Sequence, residues 1–189
     1  MYVLTKALVC IGALWGASML HAQATPTASR MGDLQIGGGF TSLSPDTKPD
    51  RFHGGAVYAD FNFTRHLGAE AEFHFAKDSA GTGQYEATYE IGARYFRTYG
   101  RFNPYVKVLG GRGVYHFTEG YQPTPTSPVT YLFVTNYAYN MLAGGAGLDY
   151  KVMPWLYVRG DWEYQRWFSF QDSSLSPNLF TVGAAYHFK

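Results

Sequence analysis

From Asp33 onward the chain alternates apolar and polar residues in eight separate runs. In the first run Leu34, Ile36, Gly38 and Phe40 share one face, and polar or small residues occupy the positions between them. Such period-two alternation places successive side chains on opposite faces of a β-strand. Most runs approach the about 9–11 residues with which a tilted strand crosses a bilayer. The pattern therefore predicts an all-β chain with eight antiparallel strands.

The other seven runs repeat this alternation, with one apolar face that is rich in aromatic side chains. That face consists of Val57, Ala59, Phe61 and Phe63; Ala69, Ala71, Phe73 and Phe75; Tyr85, Ala87, Tyr89, Ile91, Ala93 and Tyr95; Val106 and Val108; Leu142, Ala146, Leu148 and Tyr150; Leu156, Val158, Trp162 and Tyr164; and Phe180, Val182, Ala184, Tyr186 and Phe188. Eight strands enclose a lumen too narrow for so many aromatic rings. We therefore expect the apolar face to contact lipid and the opposite, charged face to line the lumen.

The breaks between the runs alternate in length. Those near residues 43, 77, 118 and 170 are long, and those near 64, 97 and 152 are short. Outer-membrane barrels combine short periplasmic turns with longer extracellular loops. The order of the breaks predicts an eight-stranded, up-and-down transmembrane β-barrel with both termini on the periplasmic side. Thr118 to Asn136 and Ser169 to Asn178 are expected to be extracellular loops.

The fifth run changes phase along its length. Val108 lies on the apolar face, whereas Tyr115 has the opposite parity. A β-bulge at Gly110-Gly111 restores the pattern, because a bulge inserts one residue and glycine tolerates its geometry. The predicted bulge places Tyr115 and Phe117 on the lipid face, and Arg112 and His116 in the lumen with Lys107.

Aromatic residues lie near both ends of the predicted strands, as they do in the girdles of outer-membrane barrels. Those expected at the periplasmic end are Tyr95, Tyr150, Trp155 and Phe188, and those at the other end are Phe40, Tyr85, Tyr115, Phe117, Tyr164 and Phe180. Arg166 is the charged residue expected on the lipid face. Because it follows Trp162 and Tyr164 toward the loop end of its strand, its stem can reach the lipid headgroups at small cost.

The N-terminus predicts a cleaved signal peptide over residues 1–24. Lys6 precedes an uncharged apolar run from Ala7 to Leu20, which is too short for a spanning helix, and the segment ends in small residues. Cleavage is expected after Ala24, with Ala22 as the alternative. Residues 25–31 would then form a short periplasmic segment, and residues 32–189 the barrel domain.

The composition of the chain argues against nucleic-acid binding and against cysteine chemistry. The chain has 15 basic and 14 acidic residues, so loss of Lys6 with the signal peptide leaves 14 of each, and no basic surface for nucleic acid is expected. Cys10 is the single cysteine and lies in the signal peptide, which leaves the mature chain without disulfide or thiolate chemistry. An aromatic content of 18%, 22 glycines and a mean hydropathy of −0.20 fit alternating strands.

The chain resembles the small OmpA/OmpX-type outer-membrane barrels. The most specific segments are Leu142–Tyr150 with Val152-Met153-Pro154, then Tyr157–Tyr164, and the last strand Phe180–Phe188. The resemblance implies an integral outer-membrane location, contact with outer-membrane lipids including lipopolysaccharide-type lipid, and a monomer. It also implies that the assembly machinery recognises the last strand, which in this chain is followed by Lys189. The peptidoglycan-binding domain of larger members is not expected here, nor is its tethering role.

The lumen charges are the richest candidate site. Eight acids, Asp60, Glu70, Glu72, Glu86, Glu90, Asp149, Asp161 and Glu163, would face four bases, Arg94, Lys107, Arg112 and Arg159. We expect these groups to pair across the barrel, because unpaired charges in a low-dielectric interior are costly. The alternative is a narrow gated ion path, in which the surplus of acids gives either protonated carboxyls or a weak cation preference.

Catalytic, cofactor and metal sites are not expected. His116-Phe117-Thr118-Glu119 is the nearest match to the His, Ser and acidic residue of lipid A deacylases, but it lacks the serine, and Ser169, Ser173 and Ser174 have no histidine nearby in sequence. His53, His66, His74 and His187 lack the close spacing of a zinc site. The sequence therefore predicts a non-enzymatic barrel with a structural, envelope-integrity or surface-interaction role through its loops. A gated channel is the alternative, and a lipid A-modifying hydrolase is less favoured.

Overall fold

The computed structural model describes residues 32–46, 50–79, 83–120, 132–170 and 173–188, and these residues form a single antiparallel sheet. Its strands are β1 (Asp33–Ser44), β2 (Phe52–Asn62), β3 (Leu67–Asp78), β4 (Tyr85–Phe96), β5 (Phe102–Gly120), β6 (Leu132–Met153), β7 (Leu156–Phe170), β8 (Ser173–Leu175) and β9 (Asn178–Phe188). Within these ranges no helix has the length and apolar character needed to cross a membrane. The predicted signal peptide and the segment 25–31 lie outside the described residues.

The sheet closes on itself because β1 pairs with β9 and β6 pairs with β7. The predicted eight-stranded barrel is confirmed, with β8 as an additional short strand that pairs with β7. Residue pairing that starts at Leu34 and passes once around the barrel returns to β1 at Ser44, ten positions along. A register advance of this kind requires strands that tilt about 35–45° from the barrel axis.

The two faces of the barrel are distributed as the alternation predicts. Outward-facing side chains such as Ile91 and Phe40 are 67% and 57% exposed. Inward-facing charged residues such as Glu70 and Arg159 are buried. A soluble barrel would have the opposite arrangement, so these faces are those of a barrel in lipid.

Strand β5 contradicts one prediction, because it contains no bulge at Gly110-Gly111. Its register with β4 and β6 is unbroken from Tyr105 to His116. Tyr115 therefore points into the lumen, where it is 2% exposed, and Phe117 packs beside it. The predicted places of Tyr115 and Phe117 in the lipid-facing girdle, and of Arg112 and His116 in the lumen, are wrong. The phase changes because the lumen itself becomes apolar at this level.

The ends of the barrel differ in their connections. At the turn end, which we define by the connections 63–66, 97–101 and 154–155, strands are joined by short turns. At the loop end, β5 extends to Gly120 and β6 begins at Leu132, so both ends of the predicted loop Thr118–Asn136 are strand, and residues 121–131 lie outside the described residues. The predicted loop Ser169–Asn178 likewise contains the end of β7 and all of β8.

Candidate functional site in the lumen

Two arginines organise the lumen near the turn end. Arg94 on β4 and Arg159 on β7 both contact Asp60, Glu70 and Asp149, which project from three other strands. Arg94 Nη1 lies 2.6 Å from Asp60 Oδ2, and Arg159 Nε lies 2.7 Å from Asp149 Oδ1. Every side chain of the cluster is buried. The predicted pairing of these charges across the barrel is therefore present.

Tyrosine rings pack on both guanidinium groups. Arg94 Cζ lies 3.8 Å from the ring centroid of Tyr105, and Arg159 Cζ lies 3.9 Å from that of Tyr58. Tyr105 donates its hydroxyl proton to Asp161 Oδ2 at 2.5 Å. Desolvated cation–π contacts of this kind add about 2 kcal/mol each. The arginines are thus held on their faces by rings and at their edges by carboxylates.

Lys107 forms the next layer toward the loop end. Its Nζ lies within ion-pair distance of four carboxylates: Glu72 at 2.5 Å, Asp161 at 2.8 Å, Glu163 at 2.9 Å and Glu70 at 3.3 Å. The ammonium group is fully buried. One cation therefore compensates four carboxylates from two strands, β3 and β7.

A polar chain connects this layer to the loop end. Gln165 donates from Nε2 to Glu163 Oε1 at 2.7 Å and to Glu90 Oε1 at 2.9 Å. Trp167 donates from Nε1 to Gln165 Oε1 at 2.9 Å. Nε2 of His74 lies 3.1 Å from a Glu72 oxygen. The hydrogen bonds fix Gln165 and orient the indole ring of Trp167 across the lumen.

Above Gln165 the lumen is filled mainly by apolar side chains, with the buried carboxylate of Glu86 beside Tyr115. We call this group the apolar plug; it consists of Leu43, Phe52, Ala76, Leu109, Tyr115, Met141, Ala143, Trp167, Leu175 and Leu179. Trp167 and Phe52 are fully buried. Leu175 comes from β8, which pairs with the loop end of β7, and Asp46 Oδ2 accepts a hydrogen bond from the backbone N–H of Ser176 at 2.6 Å. The plug closes the lumen on the loop side.

The sequence contained a signal for this plug that the alternation rule did not use. Leu43, Trp167 and Leu179 all have the parity of lumen residues and lie toward the loop ends of their strands. Apolar residues on the lumen face at one end of several strands indicate that the interior is dry there. The predicted bulge arose because Tyr115 was assigned to lipid by its chemistry rather than to the lumen by its parity.

The turn end is open by comparison. A cavity of about 100 Å³ there is lined by residues that include Gln35, Asn62, Arg94 and Asp149. His187 lies at this end as well; it contacts Asp33 and the carbonyl of Pro154. Solvent access from the turn side therefore reaches Arg94 and stops at the two-arginine cluster.

The charge balance of the lumen differs from the predicted one. All eight predicted lumen carboxylates are buried, and three of the four predicted bases, Arg94, Lys107 and Arg159, face them. Arg112 faces outward instead. His74 adds a titratable group that is buried between Glu72 and Glu90. The surplus of acids is thus larger than the sequence predicted.

Two groups of lumen side chains have the geometry of metal donors. Donor atoms of His74, Glu90 and Glu163 lie within 4.8 Å of one another, and so do those of Glu72, Asp161 and Glu163. Gln165 and Lys107 already occupy oxygens of both groups. A divalent ion would have to displace these contacts, so the absence of a metal site stays a prediction.

The residues weighed for catalysis lie apart in the fold. His116 is on the outer face of β5, where it stacks on Tyr85 at 4.5 Å between ring centroids and its Nδ1 bonds to Asn136. Ser169 is at the end of β7 with a backbone φ of 61°, and Ser174 is exposed on β8. The structure does not bring these groups into a nucleophile–base arrangement.

A comparison with protein families finds one match. Residues 11–188 match the family model described as the outer membrane protein beta-barrel domain. No curated protein sequence matches the chain.

Solved structures of small outer-membrane barrels share the fold. Neisserial surface protein A superposes with a TM-score of 0.59 at 13% identity, over 83% of this chain and 97% of that one. Ail of Yersinia pestis, in complex with the heparin analogue sucrose octasulfate, gives 0.54 at 17% identity over 83% and 99%. The N-terminal β-barrel domain of OprF from Pseudomonas aeruginosa gives 0.54 at 13% identity over 82% and 97%. The predicted resemblance is confirmed.

Proposed function

The chain belongs to the outer membrane protein β-barrel domain family and is integral to the outer membrane, and from this premise we propose that it is a closed barrel that presents its loop end for surface interaction. The observation that carries the proposal is the β5–β6 hairpin, which extends past its neighbours. Pairing between β4 and β5 ends at His116, and pairing between β6 and β7 ends at Met141. Residues 132–140 of β6 thus continue beyond β7.

The projecting hairpin has side chains suited to contact. Tyr137 and Tyr139 lie on the face of β6 that continues the lumen side, where they are half-buried and stack with ring centroids 6.4 Å apart. Tyrosine is enriched at interfaces because its ring offers apolar area and its hydroxyl a hydrogen bond. Nine residues at about 3.3 Å each give ~30 Å of strand, which is a large surface for a partner. Binding residues commonly lie on segments that a rigid scaffold positions.

The filled lumen supports the same role. The apolar plug and the ion-pair layers leave the barrel as a rigid anchor, and no catalytic group is proposed. Ail, which shares the fold, is known in complex with a heparin analogue. On this chain exposed basic residues near the loop end, such as Arg51 and Lys77, could meet a similar polyanion. Heparin is therefore the first probe.

The test is a trimmed hairpin on the cell surface. Residues 118–134 are replaced by Asn-Gly, which joins the paired residues Phe117 and Thr135 through a two-residue turn. Cells with the full chain are expected to bind heparin-coated plates, and cells with the trimmed chain are expected to bind them more weakly, because the hairpin adds contact area to the basic residues at the same end of the barrel. Serine replacement of residues 80–82, in another loop, is the matched control and should bind as the full chain does.

Both variants must first show the gel shift of a folded barrel between unboiled and boiled samples. Equal binding by trimmed and full chains would contradict the role of the hairpin. Failure of the full chain to bind heparin-coated plates would contradict recognition of a polyanion at the loop end and favour envelope integrity.

A narrow ion channel is the second candidate, and the open turn end favours it. The cavity at that end reaches Arg94, so solvent enters the lumen from the turn side as far as the two-arginine cluster. In a gated channel, Arg94→Ala or Arg159→Ala would raise single-channel conductance. In the closed barrel that we propose, the apolar plug blocks current in both variants.

We further propose that the assembly machinery recognises β9, whose outward residues Val182, Tyr186 and Phe188 are exposed. The barrel is proposed to be a monomer, because β1 and β9 satisfy each other and leave no barrel edge within the described strands.

A further inference from the structure

The lipid-facing surface carries a groove that the girdle pattern does not explain. It has a volume of about 620 Å³ and crosses the outward faces of β1 to β5. Small residues form its floor: Ala59, Ala71 and Gly110. Val57, Phe73 and Tyr89 form one wall. Most of the barrel exterior is covered by large apolar side chains, so this recess is a local departure from it.

The groove exists because three residues of one ladder are small. Ala59 pairs with Ala71, and Gly110 lies two strands further along the ladder, beyond Ile91. A Cβ atom added at Gly110 would have no heavy atom within 4 Å. The space above Gly110 is therefore open and could hold a side chain. At about 4.8 Å per strand, the groove spans ~19 Å across five strands, enough for one tilted acyl chain.

Arg112 stands at the loop end of the groove. It follows Gly110 by two residues on the same face of β5 and pairs with Tyr89 across the ladder. Ten residues separate it from Phe102, which is exposed at the turn end. At about 3.3 Å per residue and a tilt of roughly 45°, that is ~23 Å along the barrel axis, close to the height of the apolar band. Arg112 therefore lies at the outer headgroup level.

The charges at this level have one sign. The charged side chains that face outward from the described strands are Lys77, Arg112 and Arg166, all near the loop end. The carboxylates whose side chains are described on those strands face the lumen. Among the residues that the structure describes, Arg112 has no ion-pair partner. An uncompensated guanidinium at the headgroup level is suited to a phosphate, which it can bind with two hydrogen bonds.

We propose that this groove binds one acyl chain of a phosphorylated glycolipid of the lipid A type, with a lipid phosphate on Arg112. The apolar floor and walls hold the chain, and the arginine selects the headgroup. A lipid of the outer leaflet is the occupant, because the cation lies at the loop end and the loop end faces the cell exterior in this family. This site is separate from the surface-interaction role and does not depend on it.

The chain offers a matched set of variants. Gly110→Leu fills the floor of the groove, and Gly144→Leu is its control, because a Cβ at Gly144 on the outward face of β6 also has no heavy atom within 4 Å. Arg112→Gln removes the cation, and Arg166→Gln removes an outward cation on β7, away from the groove.

The measurement is native mass spectrometry of the full-length barrel, with lipid A, lipid A without phosphates, and phosphatidylglycerol supplied at equal concentration. The wild-type barrel is expected to retain one lipid A molecule. Gly110→Leu and Arg112→Gln are expected to retain it about tenfold more weakly, the loss that follows from one charge-assisted contact or an equivalent apolar contact. Gly144→Leu and Arg166→Gln are expected to match the wild type.

Three results would overturn the proposal. The first is equal retention of lipid A by Gly110→Leu, Arg112→Gln and their controls. The second is retention of phosphatidylglycerol as strong as that of lipid A, which would make the groove a general lipid contact. The third is unchanged binding of lipid A without phosphates. If Gly110→Leu fails to give the folded gel shift, Arg112→Gln decides the outcome, because its side chain is exposed.

Discussion

Trp167 on β7 lies directly against Gly113 on β5, two strands away around the barrel: a Cβ atom at Gly113 would stand 2.2 Å from Trp167 Cζ2. The indole ring is fully buried in the apolar plug, and its Nε1 bonds to Gln165. Glycine at this position lets the largest side chain of the lumen cross from β7 toward β5. The closure of the barrel on its loop side depends on this contact.

Gly113→Ala is expected to destabilise the barrel. The added methyl group overlaps the ring edge of Trp167, which has no space to withdraw in a packed plug, and overpacking of this kind costs about 1–3 kcal/mol. The temperature at which the folded form is lost on SDS gels measures the effect. Gly144→Ala, which adds the same group in open space, should leave that temperature unchanged. An equal temperature for both variants would show that the plug is loosely packed.

Lys107→Met is expected to destabilise the barrel more strongly. The variant keeps the length of the side chain but removes the cation that lies within 3.3 Å of four carboxylates. Breaking a buried ion pair by removal of one partner costs about 3–5 kcal/mol. Urea unfolding in lipid vesicles, followed by tryptophan fluorescence, gives the free energy of unfolding.

Lys77→Met is the control for this measurement, because Lys77 is exposed on the outer face and lies 5.4 Å from the ring of Phe75. Its loss should change the free energy of unfolding by less than about 1 kcal/mol. The role assigned to Lys107 would be wrong if the two variants unfolded at the same urea concentration.

Sequence alone predicted the barrel well, because period-two alternation is a local property. Phe73 and Glu72 are adjacent and point to opposite faces, so the lipid and lumen sides follow once one strand is assigned. The closing pair β1–β9 followed from the even strand number. Pairing partners across the lumen could not be predicted, because which carboxylate reaches Arg159 depends on the register advance around the whole barrel.

The failed predictions share one cause. The rule that aromatic side chains face lipid holds for residues within the bilayer. Strand β5 continues past the bilayer, and there the side chain of Tyr115 faces the interior of the barrel. No local pattern marks the level at which the bilayer ends. The outward position of Arg112 follows from the same unbroken register, and the sequence could not place it at the headgroups without knowing that register.

Leu175→Ala is expected to loosen β8. The side chain of Leu175 is 4% exposed and packs in the plug, although β8 has three residues and pairs with β7 alone in the described sheet. Truncation of a buried leucine to alanine lowers stability by about 2–5 kcal/mol. Here we expect the loss to lower the free energy of local opening of β8. Chymotrypsin added to intact vesicles should cleave the variant protein near Phe168 faster than it cleaves the wild-type protein. Leu142→Ala, on the outward face of β6, should be cut at the wild-type rate.

Arg159→Ala is expected to leave the barrel electrically closed. The variant removes a cation that contacts Asp60, Glu70 and Asp149 and so weakens the lower layer. Current is still blocked, because Trp167 and its neighbours lie between that layer and the loop end. Single-channel recording of Arg159→Ala and Arg94→Ala should show no steps beyond those of the empty bilayer. Discrete steps in either variant would support the gated channel.

Recording from the wild-type chain in a planar lipid bilayer shows whether the lumen of this barrel is closed, as it must be if the protein acts through its outer surfaces. The ion-pair layers and the apolar plug predict no stable conductance steps at either polarity, while insertion is verified by the gel shift of the same preparation. Stable, voltage-independent steps from correctly folded wild-type protein would contradict a closed lumen, because ions would then cross the level of Trp167.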